Sequence, residues 1–357
     1  MPTIDVAFPS GARTRCVIEP GALGRLPDLC AEAGLTGTAG LVCDARLTLL
    51  HRDALNALRP AFGDLLARPV NEARKTLAEV EAICEVLSGR GVGRDGFVIA
   101  VGGGVLTDLA GLAAALYLRG VPWVSAPSTL LAQVDAGLGG KTGANLRAGK
   151  NLVGVFHQPR LVVCDPLLLA TLPARERWSG LAEVVKCALI AGGDLLEQCE
   201  RDLERAAAGE AAALAPLIEG AVRLKARLVE EDEREGAARA FLNLGHTVGH
   251  ALEAATGYGH FTHGEAVALG LRGMLALSPL PAAERDRAEA LVSRLRVAAD
   301  CALDADQREA ALQAMTRDKK VRAGQVRFVL LDRLGAPRLQ AVAPADCARA
   351  LAAALAG

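Results

Sequence analysis

Lysine is scarce in this chain. Lysine and arginine together number 40, yet only seven are lysine: Lys75, Lys141, Lys150, Lys186, Lys225, Lys319 and Lys320. Either residue serves on a solvated surface, but arginine cannot replace lysine where a compact point charge or a tunable amine is needed. Lysines kept against such a bias mark places that need that amine. Their contexts are Gly-Gly-Lys141-Thr, Gly-Lys150-Asn151, Glu183-Val-Val-Lys186 and Asp318-Lys319-Lys320, and they point to several lysines converging on one polyanionic substrate. Aromatics make up 3% of the chain and the net charge is −1. With no basic excess and no aromatic–basic interleaving, the composition argues against a nucleic-acid partner. No apolar run reaches the ~18–20 residues of a membrane span, which argues against a membrane partner. No Cys-x-x-Cys occurs, and the nine cysteines are dispersed. That pattern fits a reducing compartment, with each cysteine a small buried hydrophobe. Met1–Asp5 has no basic region leading into an apolar stretch, so a cytoplasmic protein is expected.

At 357 residues the chain is long enough for two domains. Strand-like Thr14–Ile18, Gly40–Asp44, Phe97–Val101 and Leu161–Cys164 alternate with helical spacing, clearest over Lys75–Leu87. Such alternation predicts a parallel sheet covered by helices. From about Leu172 onward, Ala/Leu/Glu/Arg segments such as 177–191, 211–231 and 282–296 predict a helical domain. One late strand candidate, Val326–Leu331, is the exception. The boundary is expected between Arg160 and Pro173.

Two features carry chemistry. Val101-Gly102-Gly103-Gly104-Val105 follows the apolar strand and opens a helix containing Asp108. Glycines there let backbone N–H groups approach a phosphate at a helix N-terminus, although the spacing is not the usual Gly-x-Gly-x-x-Gly. Asp44, at the end of an earlier strand, is placed to accept from ribose hydroxyls. The second feature is a cluster of four histidines, His246, His250, His260 and His263, flanked by glycines. His246 and His250 share a helix face at i, i+4. Two histidines plus a carboxylate form a common catalytic zinc set. Glu253, Glu265 or a distant acid could complete it, and spacing leaves the ligands open.

The motifs Gly102–Gly111, Pro127–Asp135, Gly139–Gly143, Gly149–Asn151, Gly180–Lys186, Leu242–His250, His263–Val267 and Asp318–Lys320 resemble 3-dehydroquinate synthase, a member of the sugar-phosphate cyclases. They run in family order over about residues 70 to 332. The resemblance implies an α/β N-terminal domain with a parallel Rossmann-like sheet (1–170) and an all-α metal- and substrate-binding C-terminal domain (171–357), with the active site in a cleft between them. It implies a homodimer that uses NAD+ and Zn2+, with Co2+ as a possible substitute. The implied reaction converts 3-deoxy-D-arabino-heptulosonate 7-phosphate to 3-dehydroquinate and phosphate with no net redox change.

Residue roles follow from the same resemblance. Glu183, His246 and His263 would bind the metal, leaving His250 to face substrate. Lys186 would reach the hydroxyl being oxidised, and Asp135 would bind another hydroxyl. Lys141, Asn151, Asn243, His250 and Lys320 would supply donors to the polar and phosphate end, joined by Arg119 from its own or the partner subunit. Lys225 and Arg239 would pair with the substrate carboxylate. Asp44, Glu72 and Lys75 would hold the adenosine half of NAD. Gly103, Gly104, Val105 and Asp108 would hold the pyrophosphate and nearby ribose. Ser128, Thr129, Lys141, Lys150 and Thr171 would line the nicotinamide side.

The chain departs from the family pattern at several positions. Val70-Asn71-Glu72 stands for Asp-Gly-Glu, Ser128 for threonine, and Ala136-Gly137 for a serine pair. Cys187 and His157 stand where tyrosine is common. None removes an essential group. Retention of Lys225 and Arg239 favours an acidic substrate over carboxylate-free sugar phosphates. An amino analogue of the heptulosonate and a metal-dependent alcohol dehydrogenase are the alternative readings.

Overall fold

The computed structural model describes residues 3–317 and 326–356. Lys319 and Lys320 lie outside the described residues. The chain divides into two compact units, Met1–Leu172 with Gly209–Arg234, and Pro173–Ala208 with Glu235–Gly357.

The first unit is built on strands β1 (Thr3–Ala7), β2 (Arg13–Ile18), β3 (Ala39–Asp44), β4 (Leu66–Arg68), β5 (Phe97–Gly102), β6 (Trp123–Pro127), β7 (Lys141–Leu146), β8 (Gly149–Phe156) and β9 (Leu161–Cys164). Seven form one sheet in the order β1-β2-β9-β6-β5-β3-β4. Only β1 and β2 pair antiparallel within it; every other neighbouring pair is parallel. Central β5 shows why an unbroken apolar run makes such a strand. All six of its residues are buried, because a parallel sheet is covered on both faces. Phe97, Ile99 and Val101 pack into one core with Leu26, Leu41 and Leu58. Val98 and Ala100, on the opposite face, join Ile83, Leu106 and Leu109. The helix expected near Lys75–Leu87 spans Leu77–Gly89, and Thr76 caps it by accepting from the Glu79 amide.

Two elements differ from expectation. A separate antiparallel hairpin, β7–β8, fills the stretch between Gly140 and His157. Its second strand is exposed at six of eight positions, so no buried face imposes alternation on its sequence. The helix Ala211–Glu231 belongs to the first unit, not to a continuous C-terminal domain 171–357. Buried Leu214, Leu217, Ile218 and Val222 give it an apolar face. Glu230 accepts from the Ala7 amide at 2.8 Å, and Glu233, just past its end, accepts from the Ser10 hydroxyl at 2.9 Å. Helical periodicity identifies such an element but not the layer it joins.

The second unit is mainly helical: Ala174–Ala191, Gly193–Ala207, His246–Ala255, His263–Leu277, Ala282–Ser293, Ala305–Arg317 and Pro344–Leu355. It is not all-α. The late strand candidate forms β10 (Val326–Arg333) and pairs antiparallel with β11 (Ala336–Val342). Among the described residues no helix is long and apolar enough to cross a membrane.

Helices in this unit pack at backbone distance. A Cβ on Gly264 would lie 2.0 Å from the Ser179 carbonyl oxygen, and one on Gly270 would lie 1.9 Å from that of Gly245. Gly264→Ala must therefore push the His263 helix off the Ser179 helix. A loss of about 3 kcal/mol in unfolding free energy is expected, measured by denaturant titration. A loss under about 0.5 kcal/mol would show that this approach does not constrain the fold.

Candidate active site

Glu183 lies in the middle of the long helix Ala174–Ala191, where it is fully buried. Lys186, one turn on and equally buried, donates to Glu183 Oε2. The other oxygen, Oε1, lies 3.5 Å from His246 Nε2 and 3.4 Å from His263 Nε2. Ring nitrogens of His246, His250 and His263 all fall within 4.8 Å of one another.

Those distances test whether a metal fits. Hydrogen bonds between nitrogen and oxygen cluster near 2.9–3.0 Å. A tetrahedral ion with bonds of about 2.0–2.1 Å holds its ligand atoms roughly 3.3–3.4 Å apart. Glu183 Oε1 stands at that spacing from both imidazoles, so Glu183, His246 and His263 fit a zinc-like ion. His250 is exposed beside them, consistent with a group that meets substrate.

Electrostatics treat the two imidazoles differently. Burial holds the His246 imidazole well below its usual range, with Glu183 opposing. A neutral imidazole is the form that ligates. Burial also opposes charge on His263, but the Glu183 and Glu253 carboxylates beside it prevail and push it up to about 10, so an ion binding there must displace a proton. Glu253 Oε2 sits 3.4 Å from His263 Nδ1 and so orients the ring from behind. Glu265, the other local acid, is engaged elsewhere. Thr262 and Glu265 form a capping box, and Arg175 clamps Glu265 at 3.0 and 2.7 Å. His260 Nε2 donates to the Asp300 backbone carbonyl at 2.6 Å and takes no part in the cluster.

Nearby in the same unit, Arg239 is buried in the turn Ala238–Asn243. Asn243 donates to Glu235 at 2.9 Å.

The first unit gathers the remaining candidates. The helix Gly104–Leu116 opens directly after β5, with no acidic side chain in its first turn. The free amides of Gly104 and Val105 suit an anion there. Gly103 approaches Thr129, and Ser128 N–H donates to Gly102 O at 2.9 Å, joining the two strand ends. Asp44 is buried and bonded by the Arg46 side chain at 2.7 Å. The Thr171 hydroxyl meets His51 at 2.7 Å. Glu72 lies in a short turn capped by Asn71, which accepts from the Arg74 amide. The substitution at Asn71 thus keeps a structural role.

Among the five lysines of the described residues, three are buried: Lys75, Lys186 and Lys225. Lysine is seldom buried unless paired, and each of these is. Lys75 donates to Asp108 at 2.5 Å and to Asn151 at 2.6 Å. Burial raises the Asp108 carboxyl to about 6, with Lys75 partly countering it. Lys225 donates to both the main-chain and the carboxylate oxygen of Asp135, each at 2.5 Å. Asp135 sits in a π-helical turn, Ala132–Ala136, a local irregularity common at functional sites. Lys141 and Lys150 are exposed on the β7–β8 hairpin. Arg119 is exposed in a turn where Leu118, Arg119 and Gly120 all have positive φ, strain that is rare for non-glycine residues.

Sequence reading missed three supporting residues. Asn145, Gln158 and Glu233 carry no motif chemistry of their own. Gln158 donates to Glu233 at 2.9 Å and lies against Gly140, whose added Cβ would meet its amide oxygen at 2.5 Å. It thereby backs the turn that leads into Lys141.

The geometry sets an expectation for metal content. Glu183→Ala and His263→Ala should each lose bound zinc, measured by elemental analysis after dialysis. His250→Ala should keep near-stoichiometric zinc while losing activity. Metal loss in His250→Ala as complete as in His263→Ala would make His250 a ligand.

Residues 66–179 match the 3-dehydroquinate synthase N-terminal family, and residues 180–321 match its C-terminal family. The chain is 43% identical over 343 residues to the 3-dehydroquinate synthase of Gloeobacter violaceus, covering 93% of each chain. It is 46% identical over 325 residues to that of Dichelobacter nodosus, covering 87% of this chain and 86% of that one. A solved 2-deoxy-scyllo-inosose synthase, in complex with carbaglucose-6-phosphate, NAD+ and Co2+, superposes with TM-score 0.87 at 25% identity, covering 98% and 99% of the two chains. The 2-epi-5-epi-valiolone synthase of Streptomyces hygroscopicus subsp. jinggangensis, with NAD+ and Zn2+ bound, superposes with TM-score 0.81 at 28% identity, covering 99% and 98%. A probable glycerol dehydrogenase from Sinorhizobium meliloti, at TM-score 0.65, 19% identity and 96% coverage of both chains, shares the fold alone. With both halves matched in order and curated relatives aligned along nearly the whole length, the chain belongs to the 3-dehydroquinate synthase family.

Proposed function

We propose that this chain converts 3-deoxy-D-arabino-heptulosonate 7-phosphate to 3-dehydroquinate and phosphate, as a carbon–oxygen lyase using NAD+ and zinc. The observation that carries the reading is the buried Glu183 carboxylate, spaced for a metal between His246 and His263 with Lys186 bonded beside it. A shared fold does not separate a cyclase from a dehydrogenase. The curated relatives decide for the cyclase: they are 3-dehydroquinate synthases at 43 and 46% identity.

Glu183, His246 and His263 would hold the ion, and the turn at Gly103–Val105 with Glu72, Lys75 and Asp108 would hold the dinucleotide. There the ion would supply polarisation of the C5 oxygen and the dinucleotide would supply reversible hydride acceptance at C5. The C5 ketone formed in between acidifies the C6 proton. The substrate's own phosphate accepts that proton as it leaves. Reduction at C5, ring opening and an intramolecular aldol then close the carbocycle.

The chain's side chains bind and orient the sugar through these steps. Lys186 Nζ, held at Glu183, donates to the hydroxyls at the reacting carbon. Asp135 accepts from another hydroxyl. Lys225 Nζ, bonded to Asp135, and Arg239 would each pair with the substrate carboxylate. By the family resemblance, Lys141, Asn151, Asn243, His250, Arg119 and Lys320 would supply donors to the polar and phosphate end.

The enzyme is proposed to be a cytoplasmic homodimer. Exposed Leu116, Leu118, Leu152, Val155 and Phe156, on the Arg119 turn and the β7–β8 hairpin, supply apolar surface for a second copy to cover.

With zinc, catalytic NAD+ and the heptulosonate phosphate, many turnovers of phosphate release are expected without NADH accumulating at 340 nm. NADH that accumulates without phosphate release would identify a dehydrogenase instead. Faster turnover of the amino analogue would move the assignment to its sister reaction. Lys225→Met should raise KM for the carboxylate-bearing substrate at least tenfold, the scale of one lost charge-assisted contact. An unchanged KM would show that Lys225 does not read the carboxylate.

A further inference from the structure

We infer that Asn145 is a positioning residue that couples the dinucleotide-binding side chains to the substrate-binding ones, an inference that rests on the function proposed above. Asn145 occupies β7 at a register shift between Ala144 and Leu146, the kind of bulge that re-aims a side chain. Its backbone N–H donates to Lys75 O at 2.7 Å. Its side-chain nitrogen donates to Glu72 Oε1 at 2.8 Å. Its side-chain oxygen accepts from the Asn151 backbone N–H at 2.8 Å.

These bonds close a circuit. Asn151 holds a left-handed φ of +53°, a conformation that asparagine tolerates better than most residues. Its side-chain oxygen accepts from Lys75 Nζ, which also binds Asp108. Glu72, Lys75 and Asp108 thus share one hydrogen-bonded network with Asn151 and with the hairpin that carries Lys141 and Lys150. Asn145 is the member that bonds to Glu72, to Lys75 and to Asn151. A side-chain amide presents a donor and an acceptor on one planar group. Aspartate keeps only the acceptor and sets a carboxylate against Glu72, while alanine keeps neither.

Two variants test the assignment. NAD+ affinity would be read by calorimetry, and KM, kcat and melting temperature measured alongside. Asn145→Ala should weaken NAD+ binding about tenfold and raise KM for the heptulosonate phosphate about tenfold, from the loss of its hydrogen bonds to Glu72 and to the Asn151 amide. Its kcat at saturation should fall less than about threefold. Asn145→Asp should bind NAD+ at least as weakly as the alanine variant, yet keep KM within about threefold of the parent because its oxygen still accepts from Asn151. A double cycle of Asn145→Ala with Asn151→Ala should be non-additive in KM. The inference is overturned if both variants bind NAD+ and substrate within twofold of the parent. It is equally overturned if both affinities fall together in the alanine and aspartate variants with a matching drop in melting temperature, the signature of a merely structural role. Calorimetry needs no turnover, so a parent protein that binds NAD+ but releases no phosphate would sink the proposed function while still judging Asn145.

Discussion

The second unit is organised around one fully buried carboxylate. Removing Glu183 from water costs several kcal/mol unless its charge is met inside the protein. Lys186 meets one oxygen, while His246 and His263 stand around the other. Each of these partners comes from a different turn or helix, so all must approach closely. The close packing of Gly264 on Ser179 and of Gly270 on Gly245 provides that approach. The glycines beside the histidines are therefore packing residues. They bring two helix N-termini, each bearing a histidine as first residue, to a common point. The Thr262–Glu265 capping box and the Arg175 clamp then fix the rotation of the second helix. That rotation aims His263 at Glu183 and sets Glu253 behind it.

The first unit solves a related problem with opposite charges. It buries two lysines, and a buried ammonium needs partners. Lys75 and Lys225 turn to Asp108 and Asp135, and each also reaches a second oxygen from another direction. An ammonium can do this because its donors radiate from one atom. A planar guanidinium presents a fixed fork and would demand a different arrangement of acceptors. The preference for arginine elsewhere in the chain, with lysine kept here, follows from that geometry.

What the sequence makes legible, and what it does not, divides along physical lines. Phe97–Val101 is readable as a central strand because burial on both faces demands an unbroken apolar run. Glu183, Lys186 and the histidines are readable because their chemistry is rare and their spacing is helical. The β7–β8 hairpin escapes notice because its outer strand is mostly exposed and its backbone bonds leave no periodic trace. The helix Ala211–Glu231 is legible as a helix, yet its membership in the first unit depends on Glu230, Glu233 and Lys225 finding partners at Ala7, Ser10 and Asp135. Those contacts span 90 to 223 positions of sequence, a range over which composition carries no information.

Asn145 shows the same limit at the scale of one residue. Asparagine beside a turn reads as turn chemistry, and only the bulge in β7 points its amide at Glu72 and Asn151. The motif residues around it were identifiable because each performs a chemical task with a recognisable side chain. Asn145 has geometry as its task, and geometry appears only once strands are paired. Groups that touch a ligand are thus readable from their own identity. Groups that hold them in place become readable only through their neighbours, and in this chain those neighbours are up to 73 residues away.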